Sequence, residues 1–227
     1  MARKTLKETT HRPALSRAKV LRKALQMADK GGIESLSMRK IAQALKVEAM
    51  SLYNHVATKE DILDGLVELV VEEIAAPTSG GPWQQAMRQR ALSAHAVLMR
   101  HPFATMLFVS RLNIGPNMLR YVDATIGCLR EAGFSYALAD HAWSALDAYL
   151  YGFTLQKLNF PLDPADYASA AQGFLPMIPA SHFPHLNGMS QEVIAGRNDG
   201  MHQIELGLDL LLAGLEQLRQ AESAKAR

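Results

Sequence analysis

Apolar residues recur every three or four positions along most of this 227-residue chain. No segment alternates apolar and polar residues as a half-buried strand would. In residues 16–30 a single helical stripe carries Val20, Leu21, Ala24, Leu25 and Ala28. The spacing therefore predicts an all-α fold, with later helices over about 83–100, 103–110, 116–132, 135–158 and 199–221.

Segment 159–188 departs from this pattern because it contains five of the ten prolines. Proline lacks a backbone N–H and interrupts a helix interior. We therefore expect at most one short helix in this segment, near Pro164 to Gln172.

Charge divides the chain unevenly. Residues 1–60 contain 13 Lys and Arg and 5 Asp and Glu, a net charge of +8, whereas the remainder has 11 and 17, a net charge of −6. A basic first quarter indicates that this part meets a polyanion. The Pro- and Gly-rich break at 77–82 separates two domains. We therefore predict three parts: a basic tail over 1–15, a first domain over 16–76, and a larger domain over 77–227.

Several classes of protein are disfavoured. The single Cys128 excludes an internal disulfide. No apolar stretch reaches the ~18 residues of a spanning helix, and the N-terminus lacks an apolar signal core. We therefore expect a cytoplasmic protein that makes no contact with a membrane.

Catalytic and metal-binding patterns are weak. Asp140 and His141 are adjacent and would face different directions on a helix, and neither a Gly-x-Ser-x-Gly elbow nor a phosphate-binding loop occurs. His182 and His185 have plausible ligand spacing and His202 follows later, but no Cys or paired carboxylate lies near them. We predict no enzyme activity, cofactor or metal site, and leave the role of these histidines open.

Residues 37–59 contain the most informative pattern. Gly31-Gly32 can end the first helix, Ser37 can cap a second over about 38–45, and a short third segment runs from Ala49 to His55. On a helical wheel Leu52 and Val56 share the buried side, which places Met50 and Asn54 on the opposite side. Thr58 can cap a fourth helix.

This outward side suits the major groove of DNA, which admits one α-helix. Asn54 can bond adenine, Met50 can contact a thymine methyl group, and Arg39 can reach guanine. Tyr53, Lys59 and Ser37 suit phosphates. The alternative is a surface helical hairpin in a protein-interaction module that does not bind DNA.

The same segment resembles the N-terminal domain of the TetR (tetracycline-repressor) family of transcriptional regulators. The matching residues are Gly32 to Ala42, Val47 to Val56, Lys59 and Leu63. A weaker resemblance to the tetracycline repressor's regulatory domain continues through Trp83, Glu131 to Ser135, and Gly207 to Glu216. Together these matches extend over nearly the whole chain from Ser16.

The resemblance implies a homodimeric, ligand-responsive regulator, most simply a repressor, with a helix-turn-helix DNA-binding domain and a larger helical bundle for effector binding and dimerisation. Its pattern assigns base contacts to Arg39, Ala49, Met50, Ser51 and Asn54, and phosphate contacts to Ser37, the Met38 backbone, Tyr53, His55 and Lys59. Dimerisation would use the helices near 135–158 and 199–221. In the second of these, Gly207 and Gly214 share a face that another helix could approach closely.

The effector is not expected to be tetracycline. Along the match, Ala75, Arg90 and Ala94 replace drug-binding residues of the tetracycline repressor, and no His occurs from Met106 to Leu112 for its metal ion. A largely apolar pocket with a few polar groups is the expected alternative. The candidate lining residues are Arg90, His95, Met99, Met106, Met118, Trp143 and Asp147, although aromatic residues at helical spacing are more often part of the core.

Overall fold

The computed structural model describes residues 15–78, 80–197 and 203–225. Within these ranges every regular element is helical, which confirms the all-α prediction. The helices are α1 Arg17–Gly31, α2 Met38–Leu45, α3 Ala49–Tyr53, α4 Lys59–Glu72, α5 Trp83–Arg100, α6 Pro102–Ser110, α7 Pro116–Glu131, α8 Tyr136–Asn159, α9 Tyr167–Phe174, α10 Pro184–Ile194 and α11 Ile204–Lys225. Of the predicted basic tail, residues 1–14 lie outside the described residues.

Three helix ends in the first part of the chain lie at the residues expected to cap them: the end of α1 at Gly32, the start of α2 at Ser37 and the start of α4 at Thr58. The Ser37 hydroxyl accepts a hydrogen bond from the Lys40 amide at 3.2 Å, and the Thr58 hydroxyl accepts one from the Asp61 amide at 3.1 Å. Gly32 ends α1 with a φ of 68°, and its N–H donates to the Ala28 carbonyl. These local bonds replace the backbone partners that a helix end lacks.

The turn between α2 and α3 depends on Lys46, which adopts a left-handed conformation with a φ of 57°. The helix after it ends at Tyr53, two residues before the expected His55, although the Val56 amide still donates to the Leu52 carbonyl. Leu52 and Val56 are buried in the core, as the wheel predicted.

Helix α4 packs both against the first three helices and against the helices that follow it. Its buried residues include Leu66, Val67 and Val70, which belong to one apolar cluster that extends from Val20 of α1 to Tyr121 of α7. The break at 77–82 separates helices in sequence, but it does not separate their cores.

A second apolar cluster joins α5, the end of α7, α8 and α11. The Trp83 and Phe134 rings meet edge to face with centroids 4.8 Å apart. The indole N–H of Trp83 donates to Glu216 of α11 at 3.1 Å. These contacts fix the last helix against the first helix of the larger domain.

The Pro-rich segment contains more helix than expected. It holds α9 and the first part of α10, where one short helix was predicted, so that prediction was wrong. Pro184 occupies the first turn of α10, where a missing N–H costs no helical hydrogen bond. The final helix begins at Ile204 in the structure, and residues 199–202 of its predicted span lie outside the described residues.

No helix in the described ranges is long and apolar enough to cross a membrane.

The inward orientation of α3 can be tested by stability. Leu52→Ala removes a side chain with no solvent exposure and should lower the free energy of unfolding by about 2–5 kcal/mol. Met50→Ala, on the same helix but 75% exposed, is the matched control and should change it by less than ~0.5 kcal/mol. Urea denaturation of both variants measures the difference, and equal effects would contradict this orientation.

Candidate nucleic-acid interface and effector site

The outer surface of α3 presents the side chains expected to read DNA. Met50 is 75% exposed, Tyr53 is 50% exposed, and Asn54 is exposed at the end of the helix. Ala49, Ser51 and His55 are half-buried beside them. Met50, Tyr53 and Asn54 therefore lie on the accessible side of this segment, whereas Ala49 packs partly against the core.

The remaining predicted DNA contacts lie at the starts of neighbouring helices. Arg39 is exposed in the first turn of α2, Met38 begins that helix, and Lys59 begins α4. The Ser37 oxygen accepts the Lys40 amide, so its hydroxyl hydrogen remains able to donate. Two helix N-termini thus flank α3, and their free N–H groups favour anions.

An ion pair that the sequence analysis missed holds α3 in place. Arg17 of α1 binds both carboxylate oxygens of Asp61 at 2.8 and 2.5 Å, and it donates to the His55 carbonyl at 3.3 Å. Asp61 also accepts the Ala57 amide at 2.9 Å. The hydrogen bond from Arg17 lowers the pKa of the Asp61 carboxyl. These bonds connect α1, the end of α3 and the start of α4.

A second polar link joins α4 to the larger domain. The Glu68 carboxylate accepts the backbone N–H groups of Asn117 and Met118 at 2.7 and 3.0 Å, so it caps the first turn of α7. The Asn117 side chain donates back to the Glu68 carbonyl at 3.1 Å. Gly115 leaves room for this contact, because a Cβ there would displace the Glu68 carboxylate.

The end of α4 has its own polar link. The Nδ1 atom of His101 lies 2.7 Å from the Asp29 carboxylate of α1, and its Nε2 atom lies 3.4 Å from the Glu73 carboxylate. Arg100 also binds Glu73 at 2.7 Å. His101 is buried at the junction of α5 and α6, so it connects the larger domain with α1 and with the residue that follows α4.

Three of the predicted effector residues meet in the interior. Arg90 of α5 binds Asp147 of α8 at 2.7 Å, and its side chain has no solvent exposure. The Trp143 indole N–H donates to the other Asp147 oxygen at 2.7 Å, and the Tyr151 hydroxyl donates to it at 3.3 Å. The sequence analysis did not include Tyr151 in this group.

The other four predicted effector residues differ in burial. The His95 ring nitrogen lies 2.9 Å from the Thr154 hydroxyl, and burial lowers the pKa of His95, which favours the neutral ring. Met118 is buried, Met99 is half-buried, and Met106 is 51% exposed on α6.

An open cleft of about 790 Å³ lies between α8, α9, α10 and α11. None of the seven predicted effector residues lines it. Its lining residues are mostly apolar and none carries a formal charge: Tyr149, Phe153, Gln156, Leu162, Tyr167, Ala170, Ala171, Phe174, Met189, Ser190, Val193, Gln203, Leu206, Gly207 and Leu210. Sequence reasoning missed it because half of this lining comes from the Pro-rich segment and the helix after it.

The two helices expected to form a dimer both carry apolar or small exposed residues. On α11, Leu206 and Leu210 are about equally exposed, at 70% and 69%. Four of the exposed positions of α8 are small, namely Ala137, Ser144, Ala148 and Gly152. Gly207 serves packing within the subunit, because a Cβ there would overlap the Tyr149 ring, whereas a Cβ at Gly214 would meet nothing within 4 Å.

Two of the three histidines considered for metal binding, His182 and His185, are exposed. His182 lies in the turn before α10 and contacts the Ser181 hydroxyl at 3.0 Å, and His185 lies in the first turn of α10. His202 lies outside the described residues. In the described part of the chain, no three His, Cys, Asp or Glu side chains are placed to hold a metal ion.

The link through Glu68 can be measured as stability. Glu68→Ala removes the acceptor for two N–H groups at a helix N-terminus and should lower the free energy of unfolding by about 1–2 kcal/mol. Glu72→Ala, an exposed glutamate one turn later on α4, should be nearly neutral. Chemical denaturation of both variants tests this, and a neutral Glu68→Ala would show that the α7 cap contributes little.

Comparison with known proteins finds one family match in the N-terminal part of the chain and one in the C-terminal part. Residues 20–66 match the family described as bacterial regulatory proteins, tetR family, and residues 76–219 match the tetracyclin repressor-like C-terminal domain. These matches confirm the resemblance found in the sequence.

Individual proteins similar to this chain are also transcriptional regulators. An HTH-type transcriptional regulator of Saccharopolyspora erythraea is 35% identical over 64% of this chain, and the match spans 62% of that regulator's length. The HTH-type transcriptional repressor DrrR1 of Streptomyces coeruleorubidus is 29% identical over 94% of this chain and 83% of its own.

A solved structure has the same fold over nearly its whole length. The TetR family protein ActR of Streptomyces coelicolor, in complex with actinorhodin, matches with a TM-score of 0.78 and 25% identity over 90% of this chain and 96% of ActR. The family matches together account for most of the chain. The protein therefore belongs to the TetR family and is a ligand-responsive, DNA-binding transcriptional regulator rather than an enzyme.

Proposed function

We propose that the protein is a homodimeric repressor that binds a pseudo-palindromic operator and is released from it by a small molecule. The observation that carries this proposal is the orientation of α3, with Leu52 buried and Met50 and Tyr53 exposed. In a dimer, two such helices would enter successive major grooves with centres about 34–36 Å apart. A bacterial regulator of this kind would act in the cytoplasm, where it meets DNA.

Base reading is assigned to the outer side of α3 and to Arg39. Asn54 would form two hydrogen bonds with adenine, Met50 would contact a thymine methyl group, and Arg39 would bind guanine. Ala49 and Ser51 are small enough to let the helix approach the base edges. These residues would determine which operator is preferred.

Phosphate binding is assigned to the margins of this surface. Tyr53, His55, Lys59, the Ser37 hydroxyl and the Met38 backbone N–H would contact the backbone of the duplex. Such contacts position α3 but carry little sequence information. The basic tail over residues 1–15 would add nonspecific attraction.

Dimerisation is assigned to α8 and α11, within predicted segments 135–158 and 199–221. The exposed leucines of α11 supply apolar area, and the small residues of α8 allow close helix approach. The domain limits proposed from the sequence, 16–76 for DNA binding and 77–227 for effector binding and dimerisation, agree with this assignment.

Effector binding is assigned to the larger domain around Arg90, Asp147 and Trp143. His95, Met99, Met106 and Met118 remain predictions, and tetracycline is not the proposed effector. The ActR complex with actinorhodin supports a small organic molecule as the ligand class. Coupling of about 1–3 kcal/mol between the two sites would change DNA affinity about 5–150-fold.

Two substitutions distinguish phosphate contacts from base contacts. Tyr53→Ala should weaken binding to every duplex, whereas Asn54→Ala should chiefly relax preference at one base pair, at a cost of about 1–3 kcal/mol. Phe183→Ala, which removes an aromatic side chain of similar exposure (49%) outside α8 and α11, is the control. Operators are first selected from random DNA, and fluorescence anisotropy then measures affinity. Wild-type affinity in Tyr53→Ala would contradict the phosphate assignment.

Salt dependence tests DNA binding against the alternative of a protein-interaction module. If the dimer neutralises about 6–10 phosphates, affinity should fall by ~10³–10⁵ between 50 and 200 mM salt. A pure interaction module would show no salt-dependent retention on duplex DNA.

The dimer surface can be tested with matched charges. Leu210→Glu should shift the protein toward monomer, because a charge in an apolar helix interface is costly. Leu119→Glu, at a leucine that is 54% exposed on α7, should leave the dimer intact. Sedimentation velocity measures both variants, and an unchanged dimer in Leu210→Glu would reject α11 as the interface.

A further inference from the structure

His101 has a fixed place at the junction of α5 and α6. A residue before proline is disfavoured from the helical conformation, and His101, which precedes Pro102, has a φ of −122° and a ψ of 67°. Its backbone N–H donates to the Val97 carbonyl at 3.0 Å, and its carbonyl accepts the Ala104 amide at 2.9 Å. The two helices therefore hold the backbone of this buried residue from both sides.

Both ring nitrogens of His101 face carboxylates. Nδ1 lies 2.7 Å from Asp29 of α1, and Nε2 lies 3.4 Å from Glu73, which follows α4. An ionised carboxylate only accepts hydrogen bonds, so each nitrogen must supply an N–H. A neutral imidazole has one N–H and an imidazolium has two. The complete arrangement therefore requires the protonated ring.

Glu73 remains an acceptor at neutral pH. Burial would raise the pKa of its carboxyl, but the hydrogen bond from Arg100 and the charge of His101 outweigh burial and leave that pKa below its usual value. An ionised Glu73 has no hydrogen to donate, so the hydrogen between it and the ring must come from Nε2. At 3.4 Å this contact is longer than a typical hydrogen bond, so it owes more to opposite charge, which again requires the imidazolium.

The charges at this junction balance only when the ring carries its second proton. In the described residues, the charged groups bonded to the ring or to its partners are Asp29, Glu73 and Arg100. Two carboxylates and one guanidinium give a net charge of −1, which an imidazolium neutralises. Toward α6 the neighbour is the uncharged Phe103 ring, whose centroid lies 6.3 Å from that of His101.

The groups that this ring connects belong to parts of the chain with different tasks. Asp29 lies near the end of α1, which packs in the same core as Leu52 of α3, whereas His101 belongs to the larger domain. Glu73 follows α4, which packs against both. A protonated His101 therefore connects α1 and α4 with the larger domain, whereas a neutral ring can donate to only one of the two carboxylates.

We propose that His101 is a positioning residue for DNA binding, whose second ring proton holds α1 and the end of α4 against the larger domain. This inference rests on the proposed function, because its consequence is operator affinity. A dimer enters two grooves at once, so freedom of α1 to α3 relative to the larger domain must be lost on binding and lowers affinity. Histidine ordinarily changes charge between about pH 5 and 8. The link is complete at the acidic end of this range and is lost as the pH rises.

The first test needs no DNA. Melting temperatures are measured at about pH 6 and about pH 8, within the range in which histidine loses its proton. From the lower to the higher pH, the melting temperature of His101→Gln should fall by about 3–6 °C less than that of the wild type, because glutamine has no proton to lose. His185→Gln, at an exposed histidine of α10, is the matched control and should keep the wild-type decrease.

The second test measures operator affinity by fluorescence anisotropy at the same two pH values and constant ionic strength. From the lower to the higher pH, the wild type should lose about 10-fold more affinity than His101→Gln. His55, a proposed phosphate contact, is present in both proteins, so any change in its charge cancels in the comparison. His101→Arg, which stays charged at every pH and has donors that suit carboxylates, should show the same smaller pH effects as His101→Gln on affinity and on melting temperature.

Equal decreases in melting temperature, or equal losses of operator affinity, in the wild type and His101→Gln would overturn the proposal, since His101 would then serve packing alone. If His101→Gln does not fold, the same comparison with His101→Arg decides. An absence of operator binding by the wild type at both pH values would reject the proposed function, and the melting experiment would still decide whether the link depends on the proton. Operator binding whose pH dependence neither variant changes would reject only this inference.

Discussion

The burial of α4 on two sides is the constraint on which the rest of the structure depends. Leu66 and Val70 have no solvent exposure, and the cluster around them contains side chains from the helix-turn-helix segment and from α5, α6 and α7. Protein interiors are close-packed, so a rearrangement on one side of such a helix is felt on the other. The DNA-reading helices and the larger domain therefore share one core through α4, and this gives an effector a physical route to the reading surface.

Polar contacts give that shared core a defined geometry. Apolar packing is non-directional, whereas hydrogen bonds require particular distances and angles. Asp61 is bonded to Arg17 near the start of α4, Glu68 caps α7 near its middle, and Glu73 meets His101 and Arg100 just after its end. Each bond relates α4 to a different neighbour. The helix is thus held by polar contacts at its start, near its middle and just after its end.

The interior of the larger domain shows where residue-type reasoning succeeds and where it stops. Buried polar groups need partners, and that rule selected Arg90 and Asp147 as candidate ligand contacts; the structure joins these two residues to each other at 2.7 Å. Methionines offer no such signal, because a flexible apolar side chain packs in many environments. Met118 is buried while Met106 is half exposed. The cleft between α8 and α11 was not anticipated, since Pro184 was read as a helix breaker and instead begins a helix.

The sequence alone determined the helical class, the caps at Gly32, Ser37 and Thr58, and which side of α3 faces outward. Those features depend on neighbours within three or four residues, so periodicity and capping rules can predict them. Tertiary structure decided which distant groups meet. Arg17 and Asp61 are 44 residues apart, and Arg90 and Asp147 are 57 apart. No local rule relates such pairs, because their contact exists only after the helices have packed.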